Sequence, residues 1–313
     1  MTAIRIEGLS KRFGKVQALD ALSLAVEPGS VYGFLGPNGA GKTTAIRILA
    51  GLARADAGQG WIDGLEVTAD AAGASHRIGY LPQEPSFYPW MTAREFLDYV
   101  GRVFGLSAAE RATRTKQLVE LAGLGEAADR RIGGYSGGMG QRLGIAQALV
   151  NRPPILLLDE PVSGLDPAGR RELLLLIEQL HGQCTVFMST HILADVERVC
   201  DSVGIISHGR LVAEAPQQEL LQQYAVPAFE VEVDSRTTGE LSAWANGVRA
   251  QPWVTSVTIN RSTARVLVDD VETARRELLA SALTAGLVLN RYEMVRPSLE
   301  DVFLRLVESG GEG

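Results

Sequence analysis

Cysteine is nearly absent: Cys184 and Cys200 are the whole complement of a 313-residue chain. Two thiols in apolar, helix-like surroundings build no disulfide framework and read as the buried, reduced cysteines of a cytosolic protein. The four histidines are scattered, without the spacing of a zinc cage. Long apolar runs are missing too. No stretch reaches the ~18 residues of a membrane-spanning helix, and the longest candidate, residues 278–289, is interrupted by Ser281, Thr284 and Gly286. The first residues alternate like a strand and lack the basic-then-apolar layout of a signal peptide. Positive charge is short as well, with 30 Lys plus Arg against 37 Asp plus Glu and a formal net charge of −7. A nucleic-acid binder usually shows a basic face, so no nucleic-acid partner is expected. These absences predict a cytoplasmic chain that would reach a membrane only through a partner.

What is present suffices for two cores, since the length is generous for one domain and comfortable for two. Short strand-like runs alternate with helix-like ones from the start, the mark of an α/β domain. Residues 31–35, 155–158, 185–189 and 202–206 read as buried strands, which need not alternate when a parallel sheet is covered on both faces. Residues 42–52 read as the helix after the first of these, and residues 89–150 as a helix-rich insertion. Thr92 followed by Glu95 predicts a capping box, with Phe96, Tyr99, Val100 and Val103 on one apolar face behind it. After Pro216 the pattern changes. We read residues 1–216 as the first domain, 217–227 as a linker containing a polar helix over 217–224, and 228–306 as a second domain with a tail. Its order is strand 229–233, helix 238–248, strands 254–259 and 264–268, helix 272–285 and strand 288–295, a β-α-β-β-α-β series of ferredoxin-like type. Residues 307–313 read as a disordered end.

The sharpest local signal is Gly36, Pro37, Asn38, Gly39, Ala40, Gly41, Lys42 and Thr43, which fits G-x-x-x-x-G-K-[ST] between a strand and a helix. A triphosphate requires several backbone N–H groups aimed inward, and only a loop poor in side chains lets it come so close. The helix that follows directs its positive end at the same anion. Lys42 is expected on the β- and γ-phosphates and the Thr43 hydroxyl on Mg²⁺, with Thr44 beside it.

Asp159 and Glu160 follow the apolar run 155–158, and ligands of open α/β sheets bind at such C-terminal strand ends. Asp159 suits the Mg²⁺ shell, and Glu160 suits general-base activation of the attacking water.

Just upstream stand Tyr135, Ser136, Gly137, Gly138 and Met139, followed by Gln141 and a helix running to about Val150. A hydroxyl and small-residue amides at a helix N-terminus make a second anion site. With the cradle and the acid pair, this series resembles the ATPase family of ABC transporters, whose signature is typically Leu-Ser-Gly-Gly-Gln. The resemblance covers residues 4 to 215. It implies a P-loop ABC ATPase domain, with a mostly parallel core sheet and a helical subdomain, ahead of the small ferredoxin-like α+β domain. It also implies ATP and Mg²⁺ as cofactors. Two ATP molecules would lie between two chains, identical or closely related, with Ser136, Gly137, Gly138 and Met139 capping the nucleotide of the partner's cradle. In the same terms Phe13 resembles the aromatic residue stacked on adenine, although alone it would read as core. Gln83 resembles the glutamine that senses the γ-phosphate and Mg²⁺. Ser163, Gly164, Leu165 and Asp166 resemble the loop joining the two sites, and His191 the histidine on the γ-phosphate. Met139 and Tyr135 depart from the family's usual glutamine and leucine, and tuned rather than abolished activity is expected. Gly140 in the first turn of that helix has no explanation in the sequence.

The resemblance further implies a polytopic membrane permease as partner, which would hold the chain peripherally on the inner face of the cell membrane. The stretch after Gln83 holds Phe87, Tyr88, Trp90 and Met91, which either line the groove for that permease or form the core of the helical subdomain. The tail from Pro297 to Leu306, after the small domain, is similar to the drug-resistance and antibiotic-export branch. Two other readings stay open: an importer ATPase with a ligand-regulated C-terminal domain, and a non-transport ABC ATPase. The single cradle and the lack of long heptad runs speak against the last.

Overall fold

The computed structural model describes residues 2–224, 227–295, 299 and 301, and the chain divides into one unit ending at Gln217 and a second beginning at Gln218. The first unit opens with two long strands, β1 (Ile4–Phe13) and β2 (Val16–Val26), paired antiparallel. Next come β3 (Val31–Leu35), helix α1 (Lys42–Leu49), β4 (Ala57–Ile62), β5 (Leu65–Glu66), the single turn α2 (Ala71–Ala74) and β6 (Ile78–Leu81). Three helices follow, α3 (Ala93–Val103), α4 (Ala108–Leu121) and α5 (Gly137–Ala148). The unit closes with β7 (Ile155–Asp159), α6 (Pro167–Gln179), β8 (Thr185–Thr190), α7 (Leu193–Val199), β9 (Ser202–Ser207) and β10 (Arg210–Pro216).

Two sheets result among the described residues of this unit. One is antiparallel in the order β2-β1-β4-β5, and the other has six strands in the order β10-β9-β3-β8-β7-β6. The pairs of the second run parallel except β10 with β9. Strands β3, β7 and β8 are buried at every position, as a sheet covered on both faces requires. A single core joins Ile4, Ile6 and Leu22 of the antiparallel sheet, Ile46 and Leu49 of α1, and Phe34 and Phe187 of the parallel one. Ile46 and Leu49 are fully buried, each contributing roughly 2 kcal/mol of transfer free energy. Tyr32 stacks on Phe187 at 5.3 Å between ring centres. The sequence pattern marks only the start of the antiparallel sheet, because its two long strands carry bulges that interrupt the alternation. Helix α1 is also shorter than the apolar run predicts. Gly51 takes a left-handed conformation (φ 72°), and the Leu52 N–H turns back to the Arg47 carbonyl at 2.8 Å, a terminator that glycine favours.

The capping box at Thr92 is formed: its hydroxyl accepts from the Glu95 N–H at 3.2 Å, and the Glu95 carboxylate accepts from the Thr92 N–H at 2.8 Å. A second box, Ser107 with Glu110, starts α4 in the same way. Asp98 and Arg111, 2.7 Å apart, join α3 to α4. Among the described residues no helix is long and apolar enough to cross a membrane.

The second unit opens with α8 (Gln217–Tyr224), whose first residue ends the first unit, and continues with β11 (Ala228–Val233), α9 (Thr238–Arg249), β12 (Val254–Asn260), β13 (Thr263–Val268), α10 (Val271–Thr284) and β14 (Leu289–Val295). Its sheet is antiparallel in the order β12-β13-β11-β14, the ferredoxin-like arrangement. Phe229, Val231 and Val233 on β11 and Ala264, Val266 and Val268 on β13 face one core with Leu241 and Trp244 of α9 and Leu278 of α10. The intervening positions carry Glu230, Glu232 and Arg265, and Arg265 bonds Glu230 and Asp301 at 2.7 Å each. Of the tail only Leu299 and Asp301 are described; the rest of 297–306 and the end 307–313 lie outside the described residues.

Candidate functional site

Glycine is required at two points of the loop between β3 and α1. A Cβ on Gly36 would stand 2.4 Å from the Ile206 carbonyl oxygen, and one on Gly41 2.3 Å from that of Ala18, where Gly41 also holds φ at +110°. Gly41 is the N-cap of α1 and gives it no side-chain cap, so the first amides of the helix remain open to an anion. Lys42 folds back over the loop and donates to the carbonyls of Gly36 at 2.7 Å and Pro37 at 3.1 Å. Only 5% of it is exposed.

The acids stand opposite. Asp159 ends β7 and accepts from the Thr43 hydroxyl at 3.0 Å and from the Ser189 hydroxyl at 2.8 Å. Ser189 in turn accepts the Glu160 N–H at 2.9 Å. Glu160, 7% exposed, contacts Lys42 at 3.1 Å through one oxygen and His191 Nδ1 at 2.6 Å through the other. Its backbone is left-handed (φ 48°), a strain of about 1 kcal/mol or more in a non-glycine residue. The Ser189 bond holds the Glu160 backbone, and the Lys42 and His191 contacts hold its carboxylate. Ser189 was missed as a site residue because a serine late in an apolar strand reads as filler; its one sequence signal is the acid pair that ends the neighbouring strand.

One open cavity of about 370 Å³ is lined by Asn38, Gly39, Gly41, Lys42, Thr43, Thr44, Gln83, Glu160, Ser163 and His191. With Val16 and Ala18, which line it too, residues from five separate stretches of the sequence thus face one space. Phe13 lies apart from that lining. It is 55% exposed, carries the Lys11 ammonium 5.3 Å from its ring centre, and shares an adjoining hollow with Thr43, Thr44, Arg47 and Tyr80.

Ser136, Gly137, Gly138 and Met139 do not join the cradle within the described residues of this chain. They open α5, where the Ser136 hydroxyl caps the helix by accepting the Met139 N–H at 3.3 Å. Two contacts tie this helix to the rest of the site. Gln141 donates to the Gln83 carbonyl at 2.8 Å, and a Cβ on Gly138 would come within 3.2 Å of Gly169 Cα in α6. Helix α6 is capped by Asp166, which accepts the Gly169 N–H at 3.1 Å, and Gly164 before it is left-handed (φ 72°). Tyr135 points away, its hydroxyl donating to the Ala127 carbonyl at 2.8 Å. A Cβ on Gly140 would meet only the Phe87 ring, at an ordinary 3.8 Å, whereas one on Gly144 would stand 2.4 Å from Leu81. Close packing therefore demands glycine at 144 and not at 140.

Behind the site, Arg170 of α6 bonds the buried Asp195 of α7 at 2.7 Å. Burial pushes the Asp195 carboxyl above its ordinary range, and the Arg170 contact opposes that rise.

The residues present suit Mg²⁺. Among the described residues no three His, Cys, Asp or Glu side chains form a cage, but Mg²⁺ typically takes one or two protein oxygens and completes its shell from phosphates and water. The Thr43 and Asp159 oxygens, 3.0 Å apart, offer such a pair.

A parallel sheet whose central strand feeds a glycine loop and helix, with an acid pair ending the next strand but one, defines a P-loop nucleoside triphosphatase. Comparison narrows the class. Residues 19–163 match the family described as ABC transporter, and residues 216–307 match the C-terminal domain of DrrA1-3-like ATP-binding proteins. The chain is 41% identical over 98% of its length to the whole of an uncharacterized ABC transporter ATP-binding protein, YxlF, of Bacillus subtilis (strain 168). It is 36% identical, over 97% of its length and 96% of the relative's, to the daunorubicin resistance ATP-binding protein DrrA3 of Streptomyces coeruleorubidus. Among solved structures it resembles a dimeric post-hydrolysis ATP-binding cassette bound to ADP and phosphate, at a TM-score of 0.61 and 26% identity over 68% of this chain and 98% of that one. The chain belongs to the ATP-binding subunits of ABC transporters. It is an ATPase that uses ATP with Mg²⁺.

Proposed function

We propose that this ATPase works as a dimer, identical or mixed, that closes on two ATP molecules and drives a separate polytopic permease of an exporter. The observation that carries the reading is the split site: Lys42, Glu160 and His191 face one cavity, while Ser136 to Met139 present a capped helix start elsewhere on the same chain. A second copy would bring the two halves together over the phosphates.

In this reading the open amides of the glycine loop and Lys42 hold the β- and γ-phosphates, and Phe13 supports the base. Thr43, Asp159 and Gln83 would hold Mg²⁺, which would supply positive charge against the phosphates. Glu160 takes a proton from the attacking water. His191, on the far oxygen of that carboxylate, fixes its orientation and reaches toward the γ-phosphate. Arrival of nucleotide draws Lys42 away from the Gly36 and Pro37 carbonyls. The loop Ser163, Gly164, Leu165 and Asp166 relays the state of one site to the other, and Gln141 ties the signature helix to the Gln83 backbone. Hydrolysis removes the charge that bridges the two chains, and the dimer reopens.

The exposed rings Tyr88, Trp90 and Tyr99 cluster on the helical part, with centres 5.2 and 5.9 Å from Tyr88. They offer the permease an apolar seat. Phe87 and Phe96 pack edge to face beneath them, so the aromatic stretch is core below and surface above. Such a partner would keep the chain at the inner face of the cell membrane. The export reading draws on the likeness of the second unit to the C-terminal domain of DrrA1-3-like proteins.

Affinity purification of the tagged chain from detergent-solubilised native membranes tests the reading. A copurifying polytopic protein without its own ATPase domain supports it. Recovery only with ribosomal or DNA-associated proteins contradicts it.

A further inference from the structure

The second unit contains a cleft that the ATPase does not use. It lies between α9 and α10, encloses about 310 Å³, and is walled by Trp244, Val248, Trp253 and Ser281, with Gln251 and Glu277 at its mouth. Ligand sites of about this size are typically apolar with a few placed polar groups. The polar atoms of the wall are already satisfied. The Trp244 indole N–H donates to the Ser281 hydroxyl at 3.0 Å, and that hydroxyl donates to the Leu278 carbonyl at 2.9 Å. What faces the cleft is therefore indole and aliphatic surface, the Gln251 amide and one carboxylate.

That carboxylate sets the ligand's charge. Glu277 makes no ion pair or hydrogen bond among the described residues, and no lysine or arginine lines the cleft. The neighbouring arginines are engaged elsewhere: Arg275 pairs with Glu272, Arg276 donates to the Glu272 carbonyl, and Arg249 bonds Asn246 and the Val257 carbonyl. Arg265 and Arg291 are occupied by Glu230 on the sheet. A cation entering the cleft would meet indole faces, which attract it through their quadrupole, and an unneutralised carboxylate. An anion would be repelled by that carboxylate, the one charged group of the lining among the described residues.

We propose that this cleft binds a small organic cation, an amine carrying an aromatic or alkyl body. The body lies against Trp244 and Trp253, and the ammonium group lies at Glu277. The site belongs wholly to the second unit, so it stands whether or not the transport reading does.

Gly247 supplies a clean way to close it. It lines the cleft, and a Cβ there would meet nothing within 4 Å. Gly247→Leu therefore starts into open space, projects into the cleft and favours the helix. The experiment uses the full chain with Trp61→Phe and Trp90→Phe, so that emission reports Trp244 and Trp253 alone, and titrates phenethylamine against its neutral counterpart 2-phenylethanol. The expected result is a saturable change with phenethylamine and about tenfold weaker binding of the alcohol, the size of one cation–indole and carboxylate contact. Glu277→Gln should weaken the amine by the same factor and leave the alcohol unchanged. Gly247→Leu should abolish both while ATP affinity is retained, which reports that the chain is folded. A change that never saturates, equal affinity for amine and alcohol, or saturable binding that survives Gly247→Leu would each overturn the proposal. So would a Gly247→Leu effect on self-association without amine binding in the parent chain, which would make the cleft a contact between copies.

Discussion

The two units bury their sheets differently, and the difference decides where chemistry can sit. In the first, β3, β7 and β8 are buried at every position, so no residue along a strand can meet a ligand. Reactive groups are confined to strand ends, where Asp159, Glu160, Ser189 and His191 lie close together. In the second, β11 alternates, with Phe229, Val231 and Val233 on the core and Glu230 and Glu232 between them. The other face of that sheet carries charges that pair with one another, Arg265 with Glu230 and with the buried Asp301. The first arrangement concentrates charge on a ligand site; the second pairs the charges of its sheet with one another.

The contrast can be broken at graded depths. Glu160→Gln carries the largest expected effect: loss of the general base should lower the ATP hydrolysis rate by a hundredfold or more with nucleotide binding kept. Lys42→Ala removes the buried cation between loop carbonyls and Glu160, and should weaken ATP binding tenfold to a hundredfold, read by titration with a fluorescent nucleotide. Leu278→Ala strikes the other unit. Its side chain is fully buried, and its truncation should cost 2–5 kcal/mol, as is usual for such cavities. Denaturant unfolding should show that loss in the second unit, while ATP affinity stays unchanged. Thr92→Ala should cost about 1 kcal/mol through loss of the α3 cap, visible as a small shift in the unfolding midpoint of the first unit.

The smallest effect concerns acid. The Arg111 bond, with help from Arg102, holds the Asp98 carboxyl below its ordinary range. A depressed folded-state pKa contributes stability that is present above the ordinary carboxylate range and fades as pH falls through the lowered value. Because the pair is partly exposed the gain is slight. Asp98→Asn should remove that acid-range slope and change little at neutral pH, as followed by thermal unfolding across pH.

How far the sequence discloses the molecule also differs by unit. The cradle from Gly36 to Thr43 and the acids Asp159 and Glu160 are legible because a phosphate demands those residue types at that spacing. Ser189 is not legible: its role depends on two strands lying side by side, which spacing within one strand does not encode. The same holds for Gln141, whose side chain reaches the Gln83 carbonyl across 58 positions of sequence. In the second unit the order of elements is readable from alternation, yet the cleft at Trp244 and Trp253 is not, since two tryptophans nine positions apart read as ordinary core. Strand β1 is legible only at its start, and β2 escapes, because bulges break the period of two on which a strand is recognised.

The most direct test of the split site is the size of the Glu160→Gln chain, measured by light scattering with and without ATP and Mg²⁺. If one copy's cradle is completed by the other's Ser136 to Met139, the variant accumulates as a dimer with ATP and stays monomeric without it, and Ser136→Arg added to the same chain abolishes the dimer. A chain that remains monomeric at saturating ATP, or a dimer indifferent to both nucleotide and Ser136→Arg, would contradict the proposed mechanism.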